Sequence, residues 1–230
     1  MVMTTPEAKP LTTEAPLRAR ELYRFFRAGE EETLALQGVS LDLSRGELVA
    51  VVGPSGSGKS TLLNLLAGLD EPSGGTVWLE GKRMSHQPET VKARLRSRQL
   101  GILRQADNLL PQLTVRANLT ILARLRGVGC REDELLESLG IAGQAMSLPH
   151  QLSGGELARA GLAVAIVGDP PVLLADEPTG ELDGDTERVV LDLLRNQADH
   201  GAAVLVASHS PAVHHIADRV VELLDGRVRR

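Results

Sequence analysis

The nine residues GPSGSGKST, Gly53 to Thr61, constrain this chain more than any other stretch of it. They follow a continuous apolar run, Leu48 to Val52 (LVAVV), of the kind a strand buried on both faces requires. A helical pattern follows from Ser60 to Leu69. Gly53, Gly58, Lys59 and Ser60 match G-x-x-x-x-G-K-[ST], the pattern of a loop that wraps phosphate. Glycines let backbone N–H groups curl around phosphate oxygens where a Cβ would clash. The helix beyond points its positive N-terminal end at the same anion. Gly53, Pro54, Ser55, Gly56, Ser57, Gly58, Lys59, Ser60 and Thr61 are thus the expected cradle for the phosphates of ATP. Lys59 reaches the β- and γ-phosphates, and the Ser60 hydroxyl is placed to ligate Mg2+.

A nucleoside triphosphatase built this way needs acid groups at a second strand end. Val172 to Glu177 (VLLADE) supplies them. Asp176 is expected to hold the Mg2+ shell, and Glu177 to act as general base on the attacking water.

Val172 to Ala175 and Ala203 to Ala207 (AVLVA) repeat the buried-strand character, and Val220 to Leu224 closes the series before the Asp225–Gly226 turn. Helical stretches lie between them: Ser60 to Leu69, Glu156 to Val167 and Thr186 to Asp199. Short buried strands alternating with helices predict an α/β fold with a mainly parallel sheet covered on both faces. Asn108 to Ala145 differs. It reads as helical throughout, which predicts a helical subdomain inserted into a P-loop NTPase core. The expected division is a flexible tail over 1–16, an α/β core over about 17–104 and 163–230, and the helical subdomain over about 105–162.

Composition narrows the partners. Aromatics are only 2% of the chain, so the core is aliphatic, and the stacking platforms of a single-strand nucleic-acid binder are scarce. With a formal net charge of −5 there is no global attraction to nucleic acid or anionic lipid, and the basic run Lys92 to Arg98 reads as a solvated helix face. The single cysteine, Cys130, excludes an intrachain disulfide and fits a reducing cytosol. The start, MVMTTPEAKP, has no basic region followed by an apolar stretch, and no apolar run approaches the ~18 residues of a spanning helix. A membrane role is therefore expected to come through a partner.

Residues 152 to 156 read LSGGE. Ser153 and Glu156 form a capping box, but Gly154 and Gly155 in a first helical turn are poor helix formers and suggest close approach of an anion to bare backbone. With this segment the chain, from about residue 18 to 230, resembles the ATP-binding cassette (ABC) ATPases, whose motifs occur here in the family's order. The resemblance implies that Ser153, Gly154, Gly155 and Glu156 contact ATP held by an opposite subunit. It implies that Gln105 touches Mg2+ and faces a membrane permease, and that Asp183 in GELD belongs to the D-loop. His209 resembles the switch histidine on the γ-phosphate, and Phe26 the aromatic that stacks on adenine, with Tyr23 and Phe25 as rivals. On this reading Lys59, Glu177 and His209 carry hydrolysis. His214 and His215 match no family position and are expected on a helix surface.

The stretches AGEEETLALQGVSL, GPSGSGKSTLLNLLAGLDEPSGG, DNLLPQLTVRANL and LLADEPTGELD are most similar to the macrolide-efflux and lipoprotein-release subfamily. That implies a motor subunit at the cytoplasmic membrane face, paired with a second ATP-binding subunit, identical or different, and with an integral-membrane permease. A module that powers transmembrane signalling or cell-wall regulation without moving a substrate would share every ATPase residue. A soluble DNA-repair or translation member would usually carry paired cassettes or coiled-coil or zinc insertions. A regulatory subunit with degenerate chemistry fits poorly with intact Glu177, His209 and LSGGE. The sequence departs from the family pattern at Arg104, where an aromatic is usual, at Val164, where arginine is common, and at Glu181 in the D-loop; the stretch from Gly127 to Leu152 also looks short.

Overall fold

The computed structural model describes residues 15–28, 31–129, 132–180 and 182–229. In chain order the elements are β1 (Leu17–Ala28), β2 (Glu31–Leu43), β3 (Leu48–Val52), α1 (Lys59–Leu66), β4 (Gly74–Leu79), β5 (Lys82–Arg83), α2 (Glu89–Gln99), β6 (Leu100–Leu103), α3 (Val115–Arg126) and α4 (Glu132–Ser138). Two 3-10 turns lead to α5 (Gly154–Ile166), and β7 (Val172–Asp176), α6 (Gly184–Asp199), β8 (Ala203–Ala207), α7 (Pro211–Ile216), β9 (Arg219–Leu224) and β10 (Arg227–Val228) complete the chain.

The apolar runs pair side by side. Six strands form one sheet in the order β10-β9-β3-β8-β7-β6, parallel except at the β9–β10 hairpin. Within each run the side chains alternate between two cores. Leu48, Ala50, Leu173, Ala175, Val204 and Val206 pack with the helices α3 to α6. Val49, Val51, Val172, Leu174, Leu205 and Ala207 face α1 and a second sheet. A sheet buried on both faces must be apolar at every position, which is why the sequence shows runs rather than alternation.

That second sheet, antiparallel in the order β2-β1-β4-β5, is absent from the sequence reading. Its strands alternate buried and exposed residues, as in Leu17, Ala19 and Leu22, and β1 carries register shifts that blur the period. Strand β6 gives no distinct sequence signal either. It is four residues long, contains Gly101, and continues directly from α2.

The segment expected to be helical from Asn108 begins its helix only at Val115, where the Thr114 hydroxyl accepts the Ala117 N–H; Gly127, with φ of 73°, ends it. Helix α5 runs unbroken across residues 162 and 163, and its buried residues share one core with α3, α4 and the sheet. The basic run is not a wholly solvated face. Lys92 is buried and bonded to Glu71 (2.7 Å), and Arg96 donates to the Gly68 carbonyl (2.8 Å), so both fasten α2 to the turn after α1. The expected tail lies outside the described residues as far as residue 14, and Pro16 is already anchored, its carbonyl accepting the Glu80 N–H. Cys130 and Glu181 also lie outside them.

Candidate active site

The C-terminal ends of β3, β7 and β8 lie side by side, and each delivers one group of the site. The phosphate loop leaves β3 and enters α1 with Gly58 as its left-handed cap (φ 103°). Lys59, only 8% exposed, bends back so that its ammonium donates to the carbonyls of Gly53 (2.9 Å) and Pro54 (3.3 Å). A buried ammonium needs such acceptors, and an incoming phosphate offers better ones.

The glycines serve partly a different purpose from the expected one. A Cβ on Gly53 would lie 2.1 Å from the Leu223 carbonyl oxygen, and one on Gly58 would lie 2.6 Å from that of Ala35. Both are required by the protein's own backbone crossing over the loop. Gly56, with φ of 79° and open space where its Cβ would be, is the glycine whose freedom serves the loop's curl alone.

Glu177 follows β7, its N–H tied to the Ala207 carbonyl (2.8 Å). Its Oε1 lies 4.0 Å from the Lys59 Nζ. Its Oε2 receives the Ser208 hydroxyl (3.2 Å) and the His209 N–H (3.4 Å), and lies 3.0 Å from the His209 Nδ1. The His209 side chain is otherwise 72% exposed. Lys59, Glu177 and His209 are therefore brought together.

Asp176, Ser60 and Gln105 share a cleft of about 400 Å3 with Arg104. Burial pushes the Asp176 carboxyl up; the Ser60 hydroxyl pulls it down, Glu177 raises it further, and the positive charges of Lys59 and Arg104 lower it, with a net rise. Its Oδ1 is buried without a hydrogen-bond partner. An orphaned carboxylate oxygen beside a hydroxyl and an amide is a hard-oxygen donor set that fits Mg2+. Among the described residues no cluster of three or more His, Cys, Asp or Glu could hold a metal.

The remaining expected residues keep to their own elements. The Ser153 Oγ caps α5, and the Glu156 carboxylate accepts the Ser153 N–H and hydroxyl (both 2.8 Å) and the Gln144 amide (2.7 Å). Those Ser153 bonds, backbone first, hold Glu156 below the usual carboxylate range. Gly154 faces open space, whereas a Cβ on Gly155 would press on Thr186. Asp183 caps α6, accepting the Thr186 N–H (2.9 Å). Phe26 is half exposed on β1 with the Arg24 guanidinium 4.6 Å from its ring centre. Among the described residues no hydrogen bond or ion pair joins Phe26, Asp183 or Ser153–Glu156 to the phosphate loop. Ser208 is the group the sequence reading missed. A serine beside His209 gives no pattern, and only the packing of β7 against β8 aims it at Glu177.

A model of the ABC transporter family matches residues 36–180. The chain belongs to that family. The lipoprotein-releasing system ATP-binding protein LolD of Pseudomonas syringae is 38% identical over 224 residues, covering 95% of this chain and 99% of LolD. The macrolide export ATP-binding/permease protein MacB of Escherichia coli is 38% identical over 219 residues, covering 93% of this chain but 34% of MacB. Among solved structures, the dimeric post-hydrolysis state of the ATP-binding cassette MJ0796, bound to ADP and Pi, matches with a TM-score of 0.86 and 32% identity, covering 93% of this chain and 97% of that one.

The ABC chain is thus an ATPase, the ATP-binding subunit of a transporter, related to MacB and LolD. Two of its departures from the family pattern have a structural account. Val164 packs against the main core. Arg104 has its backbone N–H and carbonyl both held by the Asn108 side chain (2.7 Å each), which leaves its cation beside Asp176. Among the described residues no helix is long and apolar enough to cross a membrane.

Proposed function

We propose that this chain is the motor subunit that drives a membrane permease of the efflux or lipoprotein-release type, bound peripherally to the cytoplasmic face through that permease. The observation that carries the reading is the convergence of Lys59, Glu177 and His209 on neighbouring strand ends. The names of MacB and LolD support the permease class. The dimeric cassette of similar fold supports pairing with a second subunit, identical or different. The acidic net charge argues against nucleic acid as a partner.

In this mechanism two subunits meet head to tail, and each ATP lies between one phosphate loop and the partner's Ser153–Glu156 turn, with Asp183 at the seam and Phe26 under the adenine. Lys59 exchanges the Gly53 and Pro54 carbonyls for phosphate oxygens. Glu177 takes a proton from water as that water's oxygen bonds to the γ-phosphorus and the bond to the β-phosphate oxygen breaks. Lys59, the loop N–H groups and His209 stabilise the charge on the transferring group. Mg2+, held at Ser60, Gln105 and Asp176, would supply neutralisation of phosphate charge. Gln105 and the helices after it pass the closure to the permease.

Glu177→Gln removes the base but keeps its size. Turnover should fall by about 10²–10⁴-fold, with ATP binding and ATP-driven pairing retained. Unchanged phosphate release in that variant would overturn the assignment. Co-purification with the permease, and ATP turnover that responds to a transported molecule, tests the coupling.

A further inference from the structure

Three hydrogen bonds connect Glu177 to the start of α6. The Ser208 hydroxyl donates to the Glu177 Oε2 (3.2 Å), the Ser210 N–H donates to the Ser208 Oγ (3.0 Å), and the Ser210 hydroxyl donates to the Glu187 Oε1 (2.8 Å). The directions are fixed. A backbone N–H can only donate, so Ser208 uses its oxygen as acceptor toward Ser210 and turns its single proton to Glu177. Ser210 likewise accepts the Ala212 N–H (3.2 Å) as cap of α7 and sends its own proton to Glu187. Ser208 is 1% exposed, and its N–H is bound to the Val51 carbonyl (3.1 Å), so this link is anchored to the strand that launches the phosphate loop. Glu187 sits in the first turn of α6, directly after the cap Asp183.

We infer that Ser208, Ser210 and Glu187 are positioning residues for the base, forming a relay that reports the placement of the loop before α6 to Glu177. This rests on Glu177 being the general base. A shift of the Asp183 loop moves the first turn of α6 and with it Glu187. Glu187 pulls on Ser210, and Ser210 sets whether Ser208 holds the Glu177 carboxylate in line. Ser208 is buried and its hydroxyl has no solvent to turn to, whereas Ser210 and Glu187 are half-buried, so the Ser208 link is the stiff one. Among the described residues none of the three hydrogen-bonds to the loop from Gly53 to Thr61. Their loss should therefore act on kcat rather than on the KM for ATP.

The test is a double-mutant cycle on the full-length chain, reading kcat, KM for ATP and ATP-driven pairing by size-exclusion chromatography. Ser208→Ala should lower kcat about ten- to a hundredfold, the range for losing a hydrogen bond to a charged group, with KM and pairing unchanged. Glu187→Ala should lower kcat about three- to tenfold. The double variant should be no slower than Ser208→Ala, because a cut relay cannot be cut again. Glu187→Gln, which keeps the acceptor and serves if the alanine variant is unstable, should recover most of the loss. Losses that multiply in the double variant, or a Glu187→Ala enzyme at parental kcat, would overturn the relay. Glu177→Gln run in parallel separates the two readings. If it is inactive while Glu187→Ala is normal, only the relay fails; if it retains parental turnover, the base assignment fails and the relay with it.

Discussion

The Lys59 ammonium lies 4.0 Å from the Glu177 carboxylate, the loop after β3 facing the turn after β7. In the proposed mechanism the γ-phosphate enters beside these two charges; without it Lys59 is satisfied by the Gly53 and Pro54 carbonyls. Lys59→Met should therefore leave the fold intact and lower ATP turnover by about 10²–10³-fold, the usual loss for one preorganised charge donor. Phosphate release beside a thermal melt checks both halves.

The two roles of the loop glycines separate by experiment. Gly53→Ala drives a Cβ to 2.1 Å from the Leu223 carbonyl oxygen at a φ of 153°, so the loop or β9 must move. Stability should fall by about 3 kcal/mol, in the range of a severe core substitution, and nucleotide binding should fall with it. Gly56→Ala meets open space, and its cost is confined to a left-handed backbone, about 1 kcal/mol. Denaturant titration with a nucleotide-binding assay on both variants distinguishes them.

Arg126, at the end of α3, is a buried cation answered by backbone carbonyls. It donates to those of Leu100 (2.9 Å), Ala165 (3.0 Å) and Val167. Burial lowers its pKa to about 10. It thereby pins α3 to the end of α5 and to the start of β6. Arg126→Met leaves these acceptors unanswered in the interior and should cost about 3 kcal/mol. Arg126→Lys should recover only part, since an ammonium cannot present the guanidinium's fork. The midpoint of a denaturant curve reads both.

Acid should loosen the junction between α6 and β9. Partial burial pushes the Asp218 carboxyl up, but the Arg195 guanidinium (2.8 Å) and the Leu48 N–H (2.8 Å) outweigh it, and the group sits below the ordinary range. A depressed carboxylate contributes stability that is fully present above its unfolded value, near 3.9, and lost as pH falls through its folded value. Asp218→Asn should be less stable than the parent at pH 7 by about 1 kcal/mol, a figure reduced for solvent screening. The gap should close as pH falls from about 3.9 through the depressed folded value. Melting temperatures across that range are the measurement.

Much of the site was legible in the sequence because its groups are tied to local chain geometry. The phosphate loop, the acids after VLLA and the capping box at Ser153 each follow from a short pattern beside a strand or helix. What escaped was information that no short window contains. β1, β2 and β4 are half-exposed strands whose bulges disrupt the alternation that would reveal them. Lys92 and Arg96 look like solvent-facing charges until Glu71 and Gly68 are found opposite them.

The sequence by itself determined the parallel core and the chemistry at its strand ends. An apolar run buried on both faces and a glycine-rich turn before a helix are properties of neighbouring residues. Only the tertiary structure decided which groups meet. Gly53 is glycine because the Leu223 carbonyl passes over it, and Ser208 bears on Glu177 because β8 lies against β7. Such contacts depend on distances across the sheet, and these are set when both faces of β3, β7 and β8 are covered together, by helices on one side and the antiparallel sheet on the other.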